Sequence, residues 1–294
     1  MPSFSGFEHI IRENEPIANG TWFRVGGPAQ YFAEPTSISE LAGLVRRCRD
    51  ENVPVRVLGG GSNVLLPDEG VTGLVIHLAA PAFSEIRVSG KKLIAGGGAK
   101  LGHVISTAVR EGLAGLEPLV GIPGTIGGAL RLNAGANGSD IGQLAEQATV
   151  MDRLGEMIVH ERSDLRFAYR ESSLDELVIL QAEFALEEED AEALTKRMQT
   201  LWIVRRSSQP QGTLNMGCIF KDVGGISAAS LIEQAGLKYA QVGQAAVSDV
   251  NANFIIARPG AKAADVVSLI ELLRSGVAER LGIALEAEIQ IWQN

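Results

Sequence analysis

The chain has 294 residues, 46% of them hydrophobic, with a formal net charge of -9 and an isoelectric point of about 5.1. That length allows two or three units with cores of their own, and the acidic balance leaves no broad basic surface for a phosphate backbone, so no nucleic-acid partner is expected. The opening segment MPSFSGFEHIIREN has neither a basic leader nor a long apolar run, and no later stretch approaches the roughly eighteen apolar residues of a membrane span, so a cytoplasmic protein without membrane insertion is expected.

In chain order, TWFRVGGPAQYF (21–32) reads as extended chain. SISELAGLVRRCRD follows with Ser37 and Glu40 in capping-box spacing, and Leu41, Leu44, Val45 and Cys48 recur at helical positions, which makes Cys48 a core residue. VPVRVL reads as a strand, and KKLIAGGGAKLGHVISTAVREGLAG as strand, glycine turn and helix. ATVMDRLGEMIVHE has the pattern of a hairpin and LVILQAEFALE that of a strand. A helix over AEALTKRMQTLWIVRR ends at the polar, proline-bearing Ser207-Ser208-Gln209-Pro210, a natural boundary. The last third holds a helix (AASLIEQAG), a strand (NFIIA), a helix (AADVVSLIELLRSGVAERLG) stopped by Gly282, and a strand (IALEAEIQIW). Alternating strands and helices with hairpins among them make the fold class α+β. The two cysteines, Cys48 and Cys218, are far apart and read as reduced thiols. The four histidines are scattered without metal-ligand spacing, so no metal is expected.

Two glycine clusters carry the chemistry. In VRVLGGGSNVLL, Gly59, Gly60 and Gly61 are followed by Ser62, Asn63 and the apolar Val64-Leu65-Leu66-Pro67, which return as a strand rather than opening a helix. That excludes a Rossmann fingerprint, and the missing Gly-Lys-Ser/Thr excludes a P-loop. A tight turn remains open, as does a nest of backbone N–H groups with Ser62 and Asn63 as extra donors. The second cluster, GIPGTIGGALRLNAGANG, orders so many glycines that close packing has to offset the lost backbone entropy. Together the two point to a long diphosphate-bearing ligand such as a dinucleotide.

The segments TWFRVGGPAQYF, VRVLGGGSNVLL, GLEPLVGIPGTIGGALRLNAGANG, LRFAYRESS, QPQGTLNMGCIFKD, LIEQAGLK and LEAEIQIW, in that order, resemble the UDP-N-acetylenolpyruvoylglucosamine reductase (MurB) family. The resemblance runs from about Thr21 to Trp292. It implies a two-lobed FAD-binding module of the vanillyl-alcohol-oxidase (PCMH) type, residues 1–78 and 79–204, and a UDP-sugar-binding α+β domain, residues 205–294. It also implies non-covalent FAD, NADPH as co-substrate and UDP-N-acetylglucosamine enolpyruvate as the partner, reduced by hydride at the vinyl carbon and a proton at its neighbour. The short connection after AYRESS resembles the compact type lacking a tyrosine-bearing loop, and a monomer is expected.

By similarity, Gly59, Gly60, Gly61, Ser62 and Asn63, with Pro123, Gly124, Thr125, Gly127 and Gly128, contact the flavin nucleotide. Arg170 polarises the substrate carboxylate with Tyr169 beside it, and Glu288 assists the enol or acts as an acid. Lys221 and Asp222 belong to the substrate site. Cys218 stands where the family has a serine proton donor; an ordinary thiol, with a pKa near ~8.5, is largely protonated at neutral pH and can do that work. Asp222 replaces an asparagine and would repel a diphosphate, with Lys221 next to it to compensate, and Asn251 replaces the histidine of HANF. These departures keep open a flavoprotein of the same fold with another substrate or impaired activity, and a non-catalytic sugar-nucleotide binder.

Overall fold

Ser37 begins the first helix, α1 (Ile38–Asp50), by accepting a hydrogen bond from Glu40 N–H at 3.2 Å. The Glu40 carboxylate closes the cap on Thr36 instead of Ser37, accepting from its N–H at 2.6 Å, and this holds its pKa below the usual carboxylate value. These coordinates are a computed structural model that describes residues 4–212 and 214–294. Residues 1–3, the start of the opening segment read above, and Thr213, inside QPQGTLNMGCIFKD, lie outside the described residues.

The chain divides into two compact units, each discontinuous in sequence. The first comprises residues 1–14, 30–60 and 73–203. Its first sheet has the order Ile11–Glu15, Ala29–Ala33, Val71–His77, Val55–Leu58, the last two parallel with Val55 opposite Leu74. Helix α1 buries Leu41, Leu44, Val45 and Cys48 against Tyr31, Ala33, Leu74 and Ile76. The helical spacing of the apolar residues therefore decides which face of α1 meets the sheet.

The second sheet of this unit is antiparallel throughout, in the order Met157–Glu161, Ala145–Met151, Val178–Ala185, Lys92–Gly96, Ile86–Ser89. Its outermost pair is the hairpin expected from the sequence, with Met151 opposite Met157. Two helices cover its core, α2 (Leu101–Arg110) through Val104, Ile105 and Ala108, and α3 (Ile126–Arg131) through Ile126, Ala129 and Leu130. Helix α3 was not foreseen, because its sequence IGGALR is too glycine-rich for a helix by propensity. Thr125 forms it by capping, accepting from Gly128 N–H at 3.4 Å.

Helix α4 (Ala191–Ser207) leads out of the first unit, which ends at residue 203. The second unit comprises residues 15–29, 61–72 and 204–294. Its core gathers α5 (Ala228–Gln234), α6 (Ala263–Leu281) and a sheet ordered Gln241–Val242, Ala245–Val247, Ile255–Ala257 around Leu231, Ile232, Ile255, Val266, Leu269 and Leu273. Phe23, Val25 and Leu65, from the first third of the sequence, fill the same core. Helix α6 ends at Gly282, as the sequence predicts, in the left-handed region at φ 69°.

One segment read as extended chain is strand only at its end, and one expected strand is shorter than read. TWFRVGGPAQYF is strand only from Ala29, in a strand that runs on to Ala33; at Gly27 just before it, a Cβ would lie 2.4 Å from Gly70 N and 2.6 Å from Asp68 O, so no side chain fits there. Of IALEAEIQIW only Gln290–Ile291 is strand, pairing in parallel with Val64–Leu65. Upstream the segment has a different partner, since Ala287 bridges Phe220. A segment that changes partners along its length cannot keep one ladder.

Candidate functional site

In the first unit the two glycine clusters meet face to face. A Cβ on Gly59 would lie 2.8 Å from Thr125 Oγ1, and one on Gly60 2.8 Å from Gly124 Cα. The glycines are therefore required, first, by the approach of one loop to the other. The consequence for a ligand is a length of bare main chain, exposed at Gly60 and Gly128, with Thr125 and Pro123 beside it. Such a surface admits a dinucleotide diphosphate closer than any side chain would, and it fits FAD.

The second loop has its own seat. Ile126 N–H donates to Ala99 O at 2.9 Å, Gly127 N–H to Gly97 O at 2.8 Å, and Leu101 N–H to Gly124 O at 3.1 Å. Gly127 and Gly128 thus spend their N–H groups on Gly97 and on Thr125, and present Cα surface to a ligand. The run Gly96-Gly97-Gly98, read from the sequence as a plain turn, is this seat: Cβ atoms there would meet the carbonyls of Phe83, Ile179 and Leu78. The signal that could have found it was the triple glycine itself.

Arg170 lies at the far end of the same segment. Phe167–Ala168 and Glu171–Ser172 pair as a short hairpin whose two turn residues are Tyr169 and Arg170. Arg170 takes φ +60°, a conformation that costs a non-glycine residue about 1 kcal/mol or more. Its guanidinium stacks over the Tyr169 ring at 5.1 Å, and Nη1 is 3.0 Å from where a Gly135 side chain would begin. The hairpin is fixed by Asn133, whose Nδ2 donates to Ala168 O at 2.8 Å, and by Ser172, whose hydroxyl donates to Arg131 O at 3.0 Å. Asn133, buried and unremarked in the sequence, also accepts from Gly142 N–H at 3.0 Å. The glycine-rich segment 121–138 thus packs against the first loop at one end and carries the arginine turn at the other.

In the second unit, Cys218 and Glu288 lie on paired segments: Glu288 N–H donates to Ile219 O at 2.8 Å and Lys221 N–H to Glu286 O at 2.9 Å. Cys218 is partly buried, and neither it nor Cys48 forms a disulfide. The Lys221 ammonium pairs with the Glu286 carboxylate at 2.7 Å. Asp222 Oδ1 accepts from Ala228 N–H at 2.9 Å, capping the start of α5. Its charge is therefore directed at a helix N-terminus, where a carboxylate is favourable. The rest of the first glycine loop belongs to this unit. Gly61 closes on Gly20, where a Cβ would lie 2.1 Å from its carbonyl, and Ser62 follows. Asn63 Nδ2 donates to Glu288 O at 3.0 Å and Asn63 O accepts from Gln290 N–H at 3.0 Å. Asn63, expected at the flavin, tethers the segment that bears Glu288.

Among the described residues no cluster of three or more His, Cys, Asp or Glu is placed to hold a metal ion, and no helix is long and apolar enough to cross a membrane.

Residues 29–160 match the family described as FAD binding domain, and residues 209–292 the family described as UDP-N-acetylenolpyruvoylglucosamine reductase, C-terminal domain. The UDP-N-acetylenolpyruvoylglucosamine reductase of Rhodopirellula baltica is 41% identical over 284 residues, covering 97% of this chain and 93% of that protein. That of Heliobacterium modesticaldum is 41% identical over 282 residues, covering 95% and 90%. The crystal structure of the MurB reductase from Thermus caldophilus superposes with a TM-score of 0.82 at 34% identity, covering 96% of this chain and 98% of that one. Cholesterol oxidase from B. sterolicum, at 16% identity and a TM-score of 0.51, shares the fold over 64% of this chain and 39% of its own. The fold is therefore α+β with a FAD-binding module of the oxidase type. With matches of this identity along nearly its whole length, the chain belongs to the UDP-N-acetylenolpyruvoylglucosamine reductase family.

Proposed function

We propose that this protein reduces UDP-N-acetylglucosamine enolpyruvate to UDP-N-acetylmuramate with NADPH and FAD, in peptidoglycan precursor synthesis, acting as a monomer in the cytoplasm. The observation that carries this reading is the register of Cys218 and Glu288 on neighbouring segments, locked by the 2.8 Å bond from Glu288 N–H to Ile219 O. A thiol and a carboxylate held on one scaffold can deliver and replace a proton at a single carbon.

Bound FAD supplies the hydride. The bare main chain around Gly59, Gly60, Pro123, Gly124, Thr125, Gly127 and Gly128, with Gly61, Ser62 and Asn63, binds it; residues 1–78 and 79–204 form the two halves of that module, and residues 205–294 bind the UDP-sugar. Arg170, pre-set by its turn and stacked on Tyr169, holds the substrate carboxylate and stabilises negative charge as it develops there. Cys218 gives its proton to the carbon next to the vinyl terminus, and Glu288 assists the enol. Lys221 and Asp222 stand at the substrate. The cap that Asp222 makes on α5 supports tolerance of a carboxylate at this position, since the charge is already offset by the helix N-terminus.

The test is NADPH oxidation by the purified flavoprotein with and without UDP-N-acetylglucosamine enolpyruvate. Substrate-dependent turnover is expected. A yellow protein with no such turnover sinks the substrate assignment, and a colourless one that takes up no FAD sinks the enzyme.

A further inference from the structure

Cys218 lies in a stretch, 217–221, that forms no regular strand, yet it is held on both sides. On one side run residues 286–288, through the bonds from Glu288 N–H to Ile219 O and from Lys221 N–H to Glu286 O. On the other side stands Asn253. Its carbonyl accepts from Ile219 N–H at 2.9 Å, its Oδ1 accepts from Phe220 N–H at 2.9 Å, and its Nδ2 donates to Phe220 O at 2.8 Å. The carboxamide fills the place of a peptide group in a missing strand. Phe220 is buried, so its N–H and C=O each need a partner, and asparagine offers a donor and an acceptor on one short side chain. Asn253 is itself only 4% exposed and is aimed by Asn251, whose Oδ1 accepts from Asn253 N–H at 3.0 Å.

We propose that Asn253 is a positioning residue for proton delivery: acting through Phe220, it fixes the 217–221 segment against residues 286–288 and so sets the aim of the Cys218 thiol. This rests on the reading of Cys218 as the proton donor.

Asn253→Asp tests it. Aspartate keeps the acceptor for Phe220 N–H but replaces the donor with an oxygen facing the Phe220 carbonyl. In stopped-flow measurements on the holoenzyme, reduction by NADPH should stay within about twofold of wild type, while reoxidation by the enolpyruvyl substrate slows by about 10- to 100-fold, the cost of a misplaced reacting group. In holo and flavin-free protein alike, alkylation of Cys218 by iodoacetamide, read by mass spectrometry, should speed up, with fully buried Cys48 as the unlabelled control. Reoxidation and alkylation at wild-type rates, or equal slowing of both half-reactions, overturn the proposal. Should Asn253→Asp not fold, Asn251→Ala decides: it removes the outer brace, together with a 3.4 Å bond from Asn251 Nδ2 to Ser208 O, and leaves the Asn253 bonds to Phe220 in place; it must slow reoxidation alone and speed Cys218 alkylation, or the proposal falls. If Cys218→Ala reoxidises like wild type, the proton-donor reading fails and takes this inference with it.

Discussion

Replacing Gly60 with alanine puts a methyl carbon 2.8 Å from Gly124 Cα. Carbon atoms settle at about 3.5–4.0 Å, so the two glycine loops would have to part by roughly 1 Å. The obstacle is main chain and cannot rotate away, so the expected cost is that of overpacking, about 1–3 kcal/mol. If that strain falls on the flavin-bound state, the dissociation constant for FAD rises by about 5- to 150-fold, since 1.4 kcal/mol is a factor of about ten. Gly102→Ala is the control: it lies in α2, no atom stands within 4 Å of its added Cβ, and helix propensity favours alanine there by up to about 1 kcal/mol. Flavin-free protein is titrated with FAD by flavin fluorescence, and thermal unfolding is followed for both variants. If Gly60→Ala binds FAD and unfolds like wild type, the loops do not need their side-chain-free contact and the account of the flavin cradle is wrong.

Cys218→Ser should retain turnover and Cys218→Ala lose about 10²-fold or more, as for a missing general acid; equal rates in wild type and the alanine variant would remove that role. Burial pushes the Cys48 thiol up to about 12. The folded state then keeps a proton that the unfolded chain releases above about pH 8.5, so this stabilisation is complete below that pH and is lost as pH rises towards 12, at most about 5 kcal/mol. Urea unfolding at pH 8 and pH 10.5 should show a larger drop for wild type than for Cys48→Ala; parallel curves would refute it. Asp68 accepts from Ala263 N–H at 2.8 Å and Ala264 N–H at 2.9 Å at the start of α6, so Asp68→Ala should destabilise by about 0.5–2 kcal/mol in denaturant melts, and an unchanged midpoint would show that these bonds contribute nothing.

What the sequence determined by itself is local or periodic. Leu41, Leu44, Val45 and Cys48 name the buried face of α1 because a helix repeats every 3.6 residues. The hairpin 145–161 and the stop at Gly282 were legible because turn and cap chemistry act over a few residues. The motifs gave the family, and with it the expectation of roles for Arg170, Cys218 and Glu288. For Gly59 and Gly60 the glycines left open a tight turn or a nest of N–H groups, and for the second cluster they said only that something packs closely. That the two meet, Gly59 on Thr125 and Gly60 on Gly124, is a contact across more than sixty residues, which no local pattern encodes. The tertiary structure likewise decided that residues 15–29 and 61–72 pack with the last third of the chain, and that the segment around Glu288 changes partner from Phe220 to Val64 and so breaks as a strand. Asn133 and Asn253 were invisible for the same reason. A buried asparagine declares nothing until the orphan peptide groups it satisfies, those of Ala168, Gly142 and Phe220, are brought beside it by folding.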